Sequence, residues 1–66
     1  MTITVNGQRE PVPAAGTVAG LVADRQLART GVAVAVNGAV VRAADWASTP
    51  LGDGDAVEIV TARQGG

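Results

Sequence analysis

Side chains that differ in size or polarity alternate with a period of two in three stretches of the chain, which predicts three β-strands. These stretches are TITV at 2–5, VAVAV at 32–36 and AVEIVTA at 56–62. Two shorter stretches, QREPVP at 8–13 and AVVR at 39–42, each follow an Asn-Gly pair. Asn-Gly favours a two-residue type I′ turn, so each short stretch is expected to form a hairpin with the strand before it. Pro11 and Pro13 lack a backbone N–H, so the second strand is expected either to be an edge strand or to end there.

Between residues 14 and 31 the hydrophobic spacing becomes that of an α-helix. The apolar face of this helix would carry Val18, Leu21 and Val22. Thr17 is a suitable N-cap, because its hydroxyl can accept a hydrogen bond from a free N–H of the first turn. Arg25 extends the apolar face with its aliphatic stem. Gly31 is expected to end the helix, and Gly20 inside it costs about 1 kcal/mol relative to alanine.

The order of these elements is strand, strand, helix, strand, short strand and strand, which predicts an α+β fold. The hairpin, the crossover helix and the closing strand together describe the β-grasp arrangement. The expected sheet is mixed and four- to five-stranded, with one helix packed across one face. Residues 44–51 should form a turn or a short 3₁₀ segment that brings Trp46 and Leu51 into the core.

The residue types absent from the chain exclude most catalytic chemistry. It has no cysteine, histidine or lysine, and its five basic residues are all arginine. Disulfides, thiolate nucleophiles, imidazole ligands and Schiff bases are therefore excluded. Asp53 and Asp55 resemble a carboxylate pair, but the surrounding GDGD stretch is expected to be a turn. No metal site and no intrinsically bound cofactor is predicted, and an enzyme is the least expected function.

Charge and hydropathy limit the classes of partner that the chain is expected to bind. The net charge is −1, and the charged residues are scattered along the 66-residue chain. They form no basic patch of the kind that binds nucleic acid. No apolar run approaches the ~18 residues of a membrane span, and no basic and apolar leader opens the sequence. We therefore expect a cytoplasmic protein that binds neither nucleic acid nor membranes.

The sequence ends in Arg63, Gln64, Gly65 and Gly66, after a domain expected to cover residues 1–62. A terminal carboxylate, with a pKa of about 3.5, is anionic at neutral pH and is a poor electrophile. By attacking the α-phosphate of ATP it becomes an acyl-adenylate, which is a good electrophile. Two residues without a Cβ make a thin, flexible thread that can enter another protein's nucleotide site. We therefore interpret residues 63–66 as a flexible tail that delivers the carboxylate of Gly66.

A tail of this kind needs a docking surface beside it. The outward face of the last strand would show Val60 and Ala62, and the outward face of the central strand would show Ala33 and Ala35. An exposed apolar patch next to a reactive tail is a natural partner site. These four residues are the candidate docking surface.

The chain carries five short motifs in a fixed order, namely AVNG, VVR, W, LGDGDAVEIV and GG. This order within so short a chain resembles the ThiS family, the ubiquitin-like β-grasp sulfur carriers of thiamine thiazole biosynthesis. The opening MTITVNG and the helical GTVAGLVADRQL are similar to that family as well. The resemblance implies that a ThiF-type, E1-like enzyme adenylates Gly66, using ATP and Mg²⁺. It further implies that a sulfur donor's persulfide converts the adenylate to a thiocarboxylate, whose sulfur passes to a ThiG-type thiazole synthase. The protein would then be a stoichiometric sulfur carrier.

Three other functions remain open at this point. Another sulfur carrier, such as the small subunit of molybdopterin synthase, would share the tail chemistry, although those subunits are richer in Phe and this chain has none. A ubiquitin-like protein modifier would use the same activation and end in an isopeptide bond to a target lysine. A plain β-grasp interaction domain would retain its function without Gly65 and Gly66.

Overall fold

The computed structural model describes residues 1–27 and 30–61, which form a five-stranded mixed sheet with one α-helix across one face. The elements in chain order are β1 (Thr2–Val5), β2 (Gln8–Pro11), α1 (Val18–Asp24), β3 (Val32–Val36), β4 (Ala39–Val41), a 3₁₀ segment (Ala43–Ser48) and β5 (Ala56–Thr61). The strand order across the sheet is β2-β1-β5-β3-β4. The β1–β5 pair is parallel and the other pairs are antiparallel. This is the predicted β-grasp arrangement, with β2 at an edge.

Both predicted hairpin turns are confirmed. Asn6 has a φ of 52° and Gly7 a φ of 83°, and Asn37 and Gly38 have nearly the same values, 52° and 85°. Positive φ at both central residues is the requirement of a type I′ turn, and Asn followed by Gly meets it with little strain. The two turns fix the registers of β2 against β1 and of β4 against β3.

The helix begins as predicted but ends earlier. Thr17 is the N-cap, and its Oγ1 accepts a hydrogen bond of 3.1 Å from the Gly20 N–H. The last helical residue is Asp24, so the predicted end at Gly31 is wrong. Gln26 adopts a φ of 58°, and its N–H donates to Ala23 O at 3.0 Å. Leu27 N–H donates to Val22 O at 3.2 Å, which completes a Schellman motif with glutamine at the usual glycine position.

Arg25 is the C-cap of α1, directly after the last helical residue. Its guanidinium forms an ion pair with the carboxylate of Glu10 on β2. The pair ties the end of the helix to the edge strand. Both side chains are about one-third exposed, so the ion pair contributes little to stability, roughly 0–1 kcal/mol.

The core lies between the sheet and a layer made of α1 and the 3₁₀ segment. Its buried members are Ile3, Val5, Val18, Leu21, Val22, Val34, Trp46, Leu51 and Val57. Trp46 is buried as predicted, and its Nε1–H donates to Val41 O at 2.9 Å. Among the described residues, no helix or further strand covers the sheet face away from α1. Within residues 1–27 and 30–61, no helix is long and apolar enough to cross a membrane.

Candidate functional site

Strand β5 is the central strand of the sheet, and the sequence continues from its last residue, Thr61, towards Gly66. It pairs in parallel with β1 on one side and antiparallel with β3 on the other. The predicted tail residues and one predicted docking residue lie outside the described residues. These are Ala62, Arg63, Gln64, Gly65 and Gly66. What the structure shows of the predicted site is strand β5, which precedes these residues in the sequence, and the surface around it.

Asn6 extends the pairing of β5 on the β1 side. The parallel ladder between β1 and β5 ends at Val5 and Val57, and the Asn6 N–H donates to Val57 O at 2.9 Å. The chain then turns away at Asn6, but its side chain stays against β5. Asn6 Oδ1 accepts from the Ile59 N–H at 2.9 Å, and Asn6 Nδ2 donates to Ile59 O at 3.2 Å. The side-chain amide thus satisfies the two backbone groups of Ile59 that a longer β1 would otherwise pair with.

Asn37 makes the equivalent contact at the start of β5. Its N–H donates to Ala56 O at 2.7 Å, and its Oδ1 accepts from the Ala56 N–H at 2.9 Å. Its Nδ2 donates to Asp55 Oδ1 at 3.0 Å. Sequence reasoning assigned both asparagines to turns and missed these contacts with β5, because nothing local in an Asn-Gly pair indicates which strand will lie beside it.

The GDGD stretch is a turn, as predicted. Asp53 Oδ1 accepts from the Thr2 N–H at 2.8 Å, which attaches the turn to the start of β1. Asp55 Oδ2 accepts from the Gly52 N–H at 2.9 Å. This bond and the bond from Asn37 lower the pKa of Asp55 below 3.8, against a small opposing effect of burial. Among the residues that the structure describes, no group of three or more carboxylates is placed to hold a metal ion.

The open sheet face brings three of the four predicted docking residues together. Val60 on β5 lies opposite Ala33 on β3, and the next pair on this face is Glu58 with Ala35. Val60 is 64% exposed, Ala33 is exposed and Ala35 is half-buried. The fourth predicted residue, Ala62, lies outside the described part of the chain. Whether a partner docks here stays a prediction.

Val40 belongs to the same surface and was missed by the sequence analysis. It lies on β4 opposite Ala35 and is 76% exposed. A signal for it was present, because the type I′ turn at Asn37-Gly38 sets Val36 against Ala39 and therefore Ala35 against Val40. We call the group Ala33, Ala35, Val40 and Val60 the apolar face; Glu58, opposite Ala35, is a charged residue on the same side of the sheet.

Comparison with known proteins gives a consistent result. The sequence model described as the ThiS family matches residues 2–66. A crystal structure of a thiamine biosynthesis protein (ThiS) from Geobacter metallireducens is 35% identical with a TM-score of 0.78, and the match covers 100% of both chains. An NMR solution structure of a thiamine biosynthesis protein from the same organism is 35% identical with a TM-score of 0.79, covering 100% of this chain and 88% of that one. No curated protein sequence matches the chain.

Proposed function

Because the chain belongs to the ThiS family, we propose that it is a sulfur carrier of thiamine biosynthesis whose working group is the carboxylate of Gly66. The observation that carries the proposal is the family match, which runs through the whole domain and includes the diglycine. The fold adds physical support, since the strand that precedes the tail is the central one of the sheet. In this proposal the folded domain is the part that partner enzymes bind, and the tail is the part that reacts.

The proposed chemistry takes place in partner enzymes. A carboxylate oxygen of Gly66 attacks the α-phosphorus of ATP, and pyrophosphate leaves with its charge neutralised by Mg²⁺. The terminal sulfur of a donor's persulfide then attacks the acyl carbon, and AMP leaves. A thiol attacks the donor's sulfur, which breaks the S–S bond, releases the thiocarboxylate and leaves a disulfide on the donor side. Thiazole synthase receives the thiocarboxylate sulfur. The chain itself contributes no acid, base or metal to these steps.

The apolar face is the proposed docking surface for the activating enzyme. Val60 lies on β5 itself, so an enzyme that covers this residue also contacts the strand that precedes the tail in the sequence. From Thr61 to Gly66 the chain can span roughly 16 Å if it is extended, at about 3.3 Å per residue. That reach lets the carboxylate enter a closed nucleotide site while the domain remains outside. Thiazole synthase must accept the same tail at a different time.

The test is C-terminal-fragment mass spectrometry of the protein after expression in a host with an active thiazole pathway. Exchange of one oxygen for sulfur has nearly the mass of one oxidation at Met1, so the change must be localised to the fragment that ends in Gly66. We expect a thiocarboxylate there, and none in a variant that lacks Gly65 and Gly66. An unmodified terminus in a host whose own carrier is thiocarboxylated would contradict the proposal.

The acceptor is tested by complementation. The gene should restore growth without thiamine to a strain that lacks its own thiazole sulfur carrier, and the variant without Gly65 and Gly66 should not. A strain that lacks the small subunit of molybdopterin synthase is the matched control, and we expect no rescue of it. Rescue of the second strain alone would assign the other carrier function, and isopeptide conjugates on unrelated proteins would assign a protein modifier.

A further inference from the structure

We propose that Asn6 is a positioning residue, which holds the last part of β5 in the direction that the tail needs for adenylation. The inference rests on the proposed function, since it concerns delivery of the Gly66 carboxylate. Asn6 does not touch the reacting group. It acts through Ile59, to which its side chain makes two hydrogen bonds, of 2.9 Å from the Ile59 N–H and 3.2 Å to the Ile59 carbonyl oxygen.

The need for such a residue follows from the unequal lengths of the strands beside β5. On the β3 side, pairing runs to the last residue of β5, from Val57 opposite Val36 to Thr61 opposite Val32. On the β1 side, backbone pairing ends at Val57. The second half of β5 would therefore be an edge on that side, free to twist or lift away from the sheet.

Successive residues of a strand point their backbone N–H and C=O groups alternately to its two sides. This alternation determines which groups of β5 point to the β1 side beyond Val57. The Asn37 N–H bonds to Ala56 O, so Ala56 points its backbone groups towards β3. The direction alternates along the strand, and the N–H and C=O of Ile59 therefore point towards β1. A primary carboxamide can present an acceptor oxygen and an N–H donor on the same side, so one asparagine side chain can bond to both the N–H and the C=O of a single strand residue. Within the described residues, Asn6 is the last group on the β1 side that bonds to β5.

The position of Asn6 is itself well determined. It is the first central residue of a type I′ turn, where its φ of 52° sends the backbone away from β5 and leaves the side chain beside Ile59. The backbone N–H of Asn6 is also bonded to Val57 O. Three bonds from one residue thus reach two alternate residues of β5. Loss of the side chain would free the strand next to the tail without disturbing the β1–β5 ladder before it.

Asn37 offers a matched control on the other hairpin. It has the same φ and the same following glycine, and its side chain also makes two hydrogen bonds, to the Ala56 N–H and to Asp55 Oδ1. Those bonds hold the start of β5, away from the tail. Asn6→Gly and Asn37→Gly each remove two side-chain bonds and keep a turn that glycine tolerates. They differ in which end of β5 is released.

The experiment measures steady-state adenylation of each variant by the activating enzyme, with the carrier concentration varied, and amide hydrogen exchange of the free carrier. We expect Asn6→Gly to lower kcat about 3- to 10-fold with KM within about twofold, since the apolar face is intact and only tail placement is affected. Protection of the Ile59 amide should fall by a similar factor. Asn37→Gly should lower protection at Ala56 and leave kcat at the wild-type value.

Three results would overturn the inference. They are a wild-type kcat for Asn6→Gly, an unchanged Ile59 protection in that variant, and an equal loss of kcat in both variants, which would indicate general destabilisation. Failure of the proposed function looks different, because the wild-type chain would then not be adenylated at all. In that case the role of Asn6 in delivering the tail is refuted together with the proposed function. Amide hydrogen exchange at Ile59 would still show whether the Asn6 side chain holds β5 in place.

Discussion

Asn37 and Asp55 are joined by a hydrogen bond of 3.0 Å between Nδ2 and Oδ1, across 18 positions of sequence. The same carboxylate accepts the Gly52 N–H through Oδ2. One ionised side chain therefore connects the β3–β4 hairpin turn to the turn that starts β5. Because both bonds favour the charged form, the pKa of Asp55 is lower in the folded protein than the ordinary 3.8.

The first prediction concerns stability at low pH. A carboxyl with a lowered folded-state pKa stabilises the fold fully above its unfolded value of 3.8, and this contribution is lost as the pH falls through the folded-state pKa. We expect the urea midpoint to drop below pH 4, and the drop to be smaller in Asp55→Asn. At pH 7 the variant should be less stable by about 1 kcal/mol, because its amide turns an NH₂ towards Asn37. An equal drop in both proteins would contradict the assignment to Asp55.

A second prediction concerns Gly20, in the first turns of α1. Glycine inside a helix usually costs about 1 kcal/mol relative to alanine, so Gly20→Ala would be expected to stabilise the protein. A Cβ at this position, however, would lie 2.7 Å from the Ala15 Cβ, which is closer than two carbons can approach. We therefore expect Gly20→Ala to lower the free energy of unfolding by about 1 kcal/mol, as overpacking outweighs propensity.

The control for this prediction is the double variant Ala15→Gly with Gly20→Ala. Removing the opposing methyl group relieves the contact, so the double variant should be more stable than Gly20→Ala alone in urea unfolding followed by circular dichroism. A Gly20→Ala variant more stable than the wild-type chain would mean that the loop at Ala15 moves aside at little cost.

The features predicted correctly from the sequence are those set by local chemistry. Alternation in VAVAV and AVEIVTA fixes which side chains face the helix, and Asn-Gly sets the hairpin turns and the strand register that follows from them. The N-cap at Thr17 is equally local, since its hydroxyl bonds to an N–H of the next turn. The β-grasp arrangement follows from the order of these elements.

The features missed depend on contacts between distant parts of the chain. The helix ends at Asp24 because Gln26 accepts a left-handed conformation that glycine usually takes, and the resulting turn packs Leu27 against the core. The pairing of Asn6 with Ile59 crosses 53 positions of sequence. Gly20 is explained by a neighbour outside the helix. None of these has a sequence signal at the residue itself.

A third prediction concerns Trp46, the one aromatic residue of the core. It is 3% exposed, and its Nε1–H satisfies the carbonyl of Val41. Trp46→Phe removes this donor and part of the buried volume, so the free energy of unfolding should fall by about 2 kcal/mol. Circular dichroism in urea is the measurement, because the variant has no tryptophan fluorescence. A change below about 0.5 kcal/mol would show that the core closes around phenylalanine and that the carbonyl finds another donor.

The last prediction tests the apolar face. Val60 is 64% exposed, so Val60→Asp should change the free energy of unfolding by less than about 0.5 kcal/mol. In a complex the same carboxylate would lose water against an apolar surface, and we expect KM for the carrier in adenylation to rise about 10- to 100-fold with kcat retained. Val40→Asp should act in the same direction, since Val40 lies on the same face.

Ala44→Asp is the matched control for Val60→Asp. Ala44 is exposed on the 3₁₀ segment, on the helix side of the sheet, so the same new charge is added away from the apolar face. Its KM should stay within about twofold of the wild-type value. Equal increases in KM for Val60→Asp and Ala44→Asp would indicate a general effect of negative charge. A wild-type KM for Val60→Asp would mean that the activating enzyme recognises the tail with a different surface of the domain, because a carboxylate cannot be buried unpaired at the centre of an interface without cost.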